Sequence, residues 1–304
     1  MTASISNSDH APSPTKYDSS IRAGSRKNRV FCLRDFLTEA YGSLYLQQGV
    51  ILDVAGGKGD LSWLLLNVDS VASVVTDPRV TKNHLVRSVE FLRQHPEEAA
   101  ARAIPGRPTH QPLAALIPKL HGKETFASPQ HLRILVDQDL VDAVREVRAY
   151  QSTTNTVDKL ERMKQWHAYW QNALHKGRQV QPSLGYQQDL DLAENQITDA
   201  QVALDTILRT TLVVGFHPDQ ATDACMDLAI LLNIPYCIVP CCVFPCEFPH
   251  RQRPDGCRVR CYEELIVYLQ KKDARARLTL LPFHDTATAR NVALYTLPSD
   301  CHQE

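Results

Sequence analysis

The chain contains no long apolar run and carries almost no net charge. No uncharged apolar stretch reaches the roughly eighteen residues that a transmembrane helix needs, so the sequence predicts no membrane span. The formal net charge is −1. This balance excludes a polycation and confines any nucleic-acid contact to local basic patches.

The nine cysteines do not indicate a disulfide framework. Such frameworks are typical of short secreted chains, whereas this chain is long and shows no signal-peptide pattern, so we expect reduced thiols and a cytoplasmic or nuclear location. An organelle transit peptide is a less favoured alternative because Asp9 and Asp18 interrupt its acid-poor composition. Residues 1–29 are rich in Ser, Thr and Pro and then basic, which predicts a disordered tail ahead of one domain over 30–298.

A glycine-rich loop follows the first predicted strand. Val50 to Val54 is a short apolar run, residues 55–59 read A-G-G-K-G, and Asp60 to Ser62 begins a predicted helix. Free backbone N–H groups at such a turn can hold a ligand above the strand ends. The loop matches neither the P-loop G-x-x-x-x-G-K-[ST] nor the dinucleotide fingerprint G-x-G-x-x-G. A tight turn without a ligand is the alternative.

Asp77 ends a second β-branched run over residues 71–76. An acid about twenty residues after a glycine loop can accept both ribose hydroxyls of a nucleotide-type cofactor. The same spacing would serve NAD, and a solvated turn aspartate before Pro78 is a further alternative.

Strands and helices alternate along most of the chain, which predicts parallel β-α-β units. The predicted strands are 50–54, 71–76, 131–137, 211–215, 236–240, 277–282 and 291–297. The predicted helices are 30–46, 60–67, 81–94, 189–208, 221–232 and 262–271. Two segments depart from this pattern: an irregular excursion over 96–129 with a short helix near 112–120, and a helical insertion over 139–180.

The insertion carries an apolar stripe at steps of three and four residues. Its members are Leu160, Met163, His167, Trp170 and Leu174. This stripe favours an amphipathic helix that covers core over a base-stacking surface. Trp166 and Tyr169 lie off the stripe, which leaves them free to be exposed.

The loop after the fourth predicted strand concentrates polar residues, among them His217, Asp219 and Asp223. Ligands bind beyond the carboxyl ends of the strands in open α/β sheets, so this loop should meet the glycine loop over one crevice. His217 has the ordinary pKa range of a proton acceptor, and Asp219 or Asp223 can orient it. Alternatively, these side chains cap the helix that follows.

These motifs together resemble those of class I S-adenosylmethionine-dependent methyltransferases. Asp53, three residues before G-G-x-G, is similar to motif I of that class. More closely, D-V-A-G-G-K-G-D-L-S, T-D-P-R, H-L-R-x-x-x-D, H-P-D-Q-A-T and V-P-C-C-V-F-P resemble a group of eukaryotic methyltransferase-domain proteins over nearly residues 26–297. The His before A-T-D is also similar to that of a tRNA 2′-O-methylating family.

The resemblance implies a Rossmann-like α/β fold with a seven-stranded, mostly parallel sheet, an antiparallel last strand and a helical insertion. A final hairpin over 277–297 agrees with that sheet, and a purely parallel dinucleotide fold would not require it. The implied cofactor is S-adenosyl-L-methionine, with Asp53 near its amino group. The implied cofactor site comprises Asp53, Ala55, Gly56, Gly57, Gly59, Asp77 and Pro78.

A segment rich in thiols, aromatic rings and arginines follows the fifth predicted strand. We expect a substrate-facing rim here, in which rings stack on bases and arginines contact phosphates. Its residues are Cys241, Cys242, Phe244, Arg251 and Arg253.

Other interpretations of this segment stay open. The arginines can belong to a solvated basic loop, and the thiols can be structural. A zinc site at Cys242, Cys246, Cys257 and Cys261 would have a non-standard spacing, so we expect no metal. A cysteine nucleophile at Cys241 or Cys242 would need a lowered pKa, and no base is identifiable.

The sequence therefore predicts an S-adenosylmethionine-dependent methyltransferase that acts on RNA. A protein or small-molecule acceptor is one alternative, and near-zero net charge favours it. A catalytically inactive, methyltransferase-like scaffold in an RNA–protein assembly is another. The sequence does not indicate the acceptor atom or the oligomeric state.

Overall fold

The computed structural model describes residues 28–79, 83, 85–105, 110–151, 156–180, 195–283 and 290–301. Within these ranges the chain forms an α/β fold around one seven-stranded sheet with the strand order β3-β2-β1-β4-β5-β7-β6. The strands are β1 Val50–Val54, β2 Ser73–Thr76, β3 Gln130–Leu132, β4 Thr210–Phe216, β5 Tyr236–Val239, β6 Arg277–Leu280 and β7 Val292–Tyr295. The predicted tail lies outside the described residues up to residue 27.

The sheet is mostly parallel and ends in an antiparallel strand. β1 pairs in parallel with β2 and β4, β2 with β3, and β4 with β5. β7 runs antiparallel to both β5 and β6. The predicted mixed α/β sheet with a reversed last strand is therefore confirmed, and its parallel strands direct their carboxyl ends to one edge.

Helices cover both faces of the sheet. They are α1 Arg29–Tyr41, α2 Ser43–Leu46, α3 Asp60–Val68, α4 Leu85–Gln94, α5 Pro96–Arg102, α6 Pro112–Leu120, α7 Gln138–Gln151, α8 Thr156–Gln179, α9 Ala200–Leu208, α10 Thr222–Leu232 and α11 Tyr262–Lys272. Successive side chains of β1 point to opposite faces: Leu52 packs with residues of α7 to α11, and Ile51 packs with α1 and α3. None of the described helices has the length and apolar character to span a membrane.

Several predicted elements differ from the observed ones. The first predicted helix is broken at Gly42, whose φ is 75°, into α1 and α2. The excursion over 96–129 contains α6 as predicted but also α5, which begins with Pro96 and carries an ion pair between Glu98 and Arg102 one turn apart.

The third strand is shorter than predicted because the apolar residues after Leu132 leave the sheet. Ile134 donates its N–H to the Leu132 oxygen at 2.9 Å, which turns the chain. Ile134 and Val136 are nevertheless buried, packed in the core with the helices of that face. These residues are apolar because they are buried against helices. The prediction extended the strand through them because an apolar run alone does not show whether a segment pairs with a neighbouring strand.

The helical insertion consists of α7 and α8. Trp170 and Leu174 are buried as the stripe predicts and Met163 is half-buried, whereas His167 is exposed and Leu160 is 61% exposed. Trp166, expected to be free for exposure, is buried, and its indole N–H donates to the Ala200 oxygen at 2.6 Å. The prediction of an amphipathic covering helix holds, but its buried face includes Trp166.

Candidate functional site

The glycine loop joins β1 to α3 through left-handed backbone. Ala55, Gly57 and Gly59 have φ values of 53°, 56° and 69°. Gly59 donates its N–H to the Gly56 oxygen at 2.9 Å. A Cβ on Gly56 would lie 2.7 Å from Oδ2 of Asp53, so only glycine fits this position without displacing that carboxylate.

Asp53 lies beneath the loop. It is 1% exposed, and its Oδ2 accepts a hydrogen bond of 2.8 Å from the Ser62 hydroxyl, which also contacts the Ser73 hydroxyl. Burial raises the pKa of Asp53 from 3.8 to about 7. The sequence places this carboxylate at the cofactor, whereas the structure makes it a support of the loop.

Asp77, at the end of β2, connects the loop to the chain that follows β2. Its Oδ2 accepts the Gly57 N–H at 3.0 Å. The Arg79 guanidinium donates to both carboxylate oxygens, with Nε 3.0 Å from Oδ1 and Nη2 3.0 Å from Oδ2. The Gly57 N–H and the Arg79 guanidinium therefore fix the position of the Asp77 carboxylate, which the sequence predicts to bind a cofactor.

A cavity of about 720 Å³ opens above the carboxyl ends of the parallel strands. Its wall begins with Val54 and Ala55 at the end of β1 and continues through residues 76–79, 134–138 and 217–221. Side chains of α10, α11 and the segment after β5 close the far side, namely Asp223, Ala224, Asp227, Phe248, His250, Tyr268 and Lys272. The sequence predicts that the glycine loop and the loop after β4 face one crevice, but of the loop after β1 only Ala55 belongs to the described lining, and its glycines do not.

The predicted site residues divide between those that line this cavity and those that do not. Ala55, Asp77, Pro78, His217, Asp219 and Asp223 line it. Among the described residues, the lining does not include Asp53, Gly56, Gly57, Gly59, Cys241, Cys242, Phe244, Arg251 or Arg253. Tyr268, Asp227 and Lys272 were not predicted, because they lie on helices whose only sequence signal is amphipathic packing.

His217 follows β4 in a left-handed conformation with a φ of 56°. Its Nε2 lies 3.1 Å from the Arg290 carbonyl oxygen, which can only accept, so the neutral ring carries its proton on Nε2. Burial, and then the charge of Arg29, lower the pKa of His217. The ring is therefore neutral at pH 7, and Nδ1 holds the basic lone pair.

The two predicted partners of His217 are engaged elsewhere. Asp219 is exposed, and its Oδ1 accepts a hydrogen bond of 2.9 Å from the Cys241 thiol. Asp223 forms a buried ion pair with Arg251 and lies 3.3 Å from Nζ of Lys272. Burial acts to raise the pKa of Asp223, but Lys272 and Arg251 outweigh it and lower the pKa.

The two arginines after β5 that were expected to contact phosphate form ion pairs within the protein instead. Arg251 is 1% exposed, and its guanidinium donates to Asp223 and to the Val243 oxygen while it stacks 3.9 Å from the Phe248 ring centre. Arg253 is held by Asp255 and Glu264. Arg251 is thus a buried structural residue, and Phe248 rather than Phe244 lines the cavity.

Burial also bears on a cysteine nucleophile at Cys241 or Cys242. Cys241 is buried and Cys242 is half-buried. Burial, and then the hydrogen bond to Asp219, raise the pKa of each thiol. Both thiols stay protonated at neutral pH, which is the opposite of what an attacking thiolate needs.

No protein family, curated protein or solved structure matches this chain in comparisons with known proteins. The functional proposal therefore depends on the residues and geometry of this cavity.

Proposed function

We propose that this protein is an S-adenosylmethionine-dependent methyltransferase that acts on RNA. The observation that carries the proposal is the placement of Asp77. Asp77 is 1% exposed and belongs to the cavity lining beside the glycine loop, at the end of the strand next to β1. A carboxylate in this position suits the two ribose hydroxyls of a nucleoside cofactor.

The cavity fits such a cofactor in size and polarity. Its volume of about 720 Å³ falls within the range of roughly 300–1,000 Å³ that is usual for small-molecule sites. Apolar residues that are at least partly exposed, Ala55 and Leu135, line one part and can cover an adenine ring. When bound, S-adenosylmethionine supplies an electrophilic methyl group, while the chain supplies orientation and a proton acceptor.

His217 is the proposed proton acceptor. It lines the same cavity as Asp77, and its Nδ1 is basic because Nε2 donates to the Arg290 oxygen. A neutral imidazole can take the proton of a hydroxyl or amine as that atom attacks a methyl group. Asp223 does not serve as its partner here, since the Asp223 carboxylate is bound to Arg251.

RNA is the proposed acceptor because the segment that follows β5 contains both exposed arginines and aromatic rings. Arg258 and Arg260 are exposed. Phe248 and His250, earlier in the same segment, line the cavity and can stack on a base. Phosphate contacts by these arginines would guide a single-stranded segment toward His217.

A cationic protein or small-molecule acceptor is the second candidate. The cavity lining contains five aspartates: Asp77, Asp137, Asp219, Asp223 and Asp227. Arg79 and Lys272 are the lysine and arginine side chains among the described lining residues, and both are paired with these aspartates. This excess of carboxylates favours an amine more than a phosphate at the cavity itself.

Transfer of a tritiated methyl group tests the proposal and separates the acceptors. The full chain is incubated with labelled S-adenosylmethionine and either fractionated cellular RNA or total protein. We expect label in one RNA class, and a loss of at least about tenfold when Arg258 and Arg260 are both changed to Glu. Lys271→Glu, at the far end of α11, is the control for reversal of one surface charge. Label in protein and none in RNA would support the second candidate instead.

A further inference from the structure

A group of three metal-ligating side chains lies at the edge of the cavity. The Asp219 carboxylate, the Cys241 thiol and the Cys242 thiol each offer one ligand atom, and these atoms all lie within 4.8 Å of one another. Among the described residues, no other group of three or more His, Cys, Asp or Glu side chains meets this criterion.

The topology explains why these residues meet although twenty-two positions separate Asp219 from Cys241. β4 and β5 are parallel neighbours, with Phe216 opposite Val239 in the last register pair. The chains that leave these strands emerge side by side at the carboxyl edge. Asp219 has a left-handed φ of 49°, and His217, two residues before it, donates its N–H to the Val239 oxygen at 3.0 Å, which holds the two chains side by side.

We propose that Asp219, Cys241 and Cys242 bind a single Zn²⁺ ion. Two sulfur ligands and one carboxylate oxygen form a donor set typical of zinc rather than of magnesium or calcium, which prefer oxygen. Three protein ligands leave one position of a tetrahedral site for water or an acceptor atom, as in catalytic zinc sites. Because Asp219 also lines the cavity, the ion would lie at the cavity edge.

The hydrogen bond seen in the structure marks the proton that the metal replaces. The Cys241 thiol donates to Oδ1 of Asp219 at 2.9 Å, so a thiol proton lies between two of the ligand atoms. When Zn²⁺ binds, two thiol protons leave to solvent and two zinc–sulfur bonds form. The two positive charges of the ion replace those of the two protons that leave. The three negatively charged ligands and the ion together carry a net charge of −1.

The exposed cysteines do not form a competing cluster. Cys246, Cys257 and Cys261 are each exposed, and they belong to no three-ligand group among the described residues. The non-standard spacing of Cys242, Cys246, Cys257 and Cys261 in the sequence predicts no metal, and of these four only Cys242 belongs to the proposed ligand group.

Cobalt binding tests the proposed site without reference to methyl transfer. The parent for the test is the full chain with Cys246, Cys257 and Cys261 changed to Ala, which removes exposed thiols that bind metal adventitiously. We expect one equivalent of Co²⁺ with the absorption of tetrahedral coordination and a sulfur-to-cobalt charge-transfer band, and displacement of Co²⁺ by Zn²⁺. The charge-transfer band should weaken in Cys242→Ser and in Cys241→Ser.

Asp219→Asn keeps the test decisive even where a thiol variant fails to fold, because this exposed residue is not part of the core. Loss of the Asp219 carboxylate should weaken Co²⁺ binding at least about tenfold, since an amide oxygen is the poorer ligand. Asp205→Asn, an exposed aspartate on α9, should bind Co²⁺ as the parent does. Absence of Co²⁺ binding by the folded parent would overturn the proposal, and so would equal affinities of the parent and Asp219→Asn.

Discussion

Asp53 lies near the end of β1 and Asp77 directly follows β2, but their environments differ. This difference gives Asp53 a structural role under the glycine loop and Asp77 a role at the cavity. Both are 1% exposed, but Asp53 has one hydroxyl donor and does not line the cavity, whereas Asp77 accepts from the Gly57 N–H and the Arg79 guanidinium and lines it. The sequence predicted both as cofactor ligands, Asp53 through its resemblance to motif I and Asp77 through its spacing after the glycine loop. No local sequence pattern indicates that Gly56 packs against Asp53 and that the Ser62 hydroxyl donates to it.

Titration of Asp53 should make the folded state less stable as pH rises. Its pKa of about 7, against an ordinary 3.8, means that the folded chain holds a proton between these values that the unfolded chain has lost. Stability is therefore greatest below the lower value and falls by at most about 1.4 kcal/mol per pH unit as pH rises through the window. Urea unfolding at several pH values measures this fall. Asp53→Asn, which cannot ionise, should lack the fall, and parallel curves for the two proteins would contradict the assignment.

His217 should give methyl transfer an acid limb. Because burial lowers its pKa, protonation should reduce the rate only below the ordinary value of 6.5, and the rate should be level near pH 7. His217→Asn preserves the left-handed backbone, since Asn tolerates that region. We expect a fall in kcat of about 100-fold or more and loss of the acid limb. His167→Gln, an exposed histidine on α8 outside the cavity lining, is the control. An unchanged pH profile in His217→Asn would exclude the proton-acceptor role.

Arg251 illustrates a residue whose part cannot be inferred from its neighbours in sequence. It stands in a segment with three other arginines, which predicts a solvated basic loop, yet its partner Asp223 is twenty-eight positions away. Removal of one member of a buried ion pair leaves the other charge uncompensated. We expect Arg251→Ala to destabilise the fold by about 3–5 kcal/mol, and the exposed Arg258→Ala by less than about 0.5 kcal/mol. Similar denaturation midpoints for the two variants would refute this account of Arg251.

At the scale of elements, strands were predicted better than helix faces. β1, β4 and β5 match their predicted positions within one residue at either end, because β-branched runs buried on both faces are distinctive. β3 was over-extended, since Ile134 and Val136 are apolar for another reason, namely packing against helices. An apolar residue is predicted to be buried, but its apolar character does not show whether it belongs to a strand.

The buried face of α8 gives a test at this scale. Trp166 is buried and donates its indole N–H to Ala200, whereas Leu160, on the predicted stripe, is 61% exposed. Trp166→Ala should destabilise the protein by about 3–5 kcal/mol, through lost packing and an unpaired carbonyl. Leu160→Ala should change the free energy of unfolding by less than about 0.5 kcal/mol. Chemical denaturation measures both, and the reverse ranking would show that the sequence-based stripe is the buried one.

At the scale of the whole molecule, the parallel strands gather the chemistry at one edge. Asp77 follows β2, His217 and Asp219 follow β4, and all three line a single cavity. The sequence predicted this meeting from topology alone, because loops at the carboxyl ends of parallel strands are neighbours. The contribution of α10 and α11 to the cavity could not be predicted, since it depends on how two helices lie over the sheet.

The most direct test of the central claim is the affinity of the full chain for S-adenosylmethionine, measured by equilibrium dialysis with the labelled cofactor. We predict saturable binding that Asp77→Ala weakens at least about tenfold, as expected for lost hydrogen bonds to a charged group. Asp205→Ala, an exposed aspartate on α9, should bind as the unaltered chain does, and thermal unfolding should show that both variants are folded. No binding by the unaltered chain, or the same affinity in folded Asp77→Ala, would contradict the account.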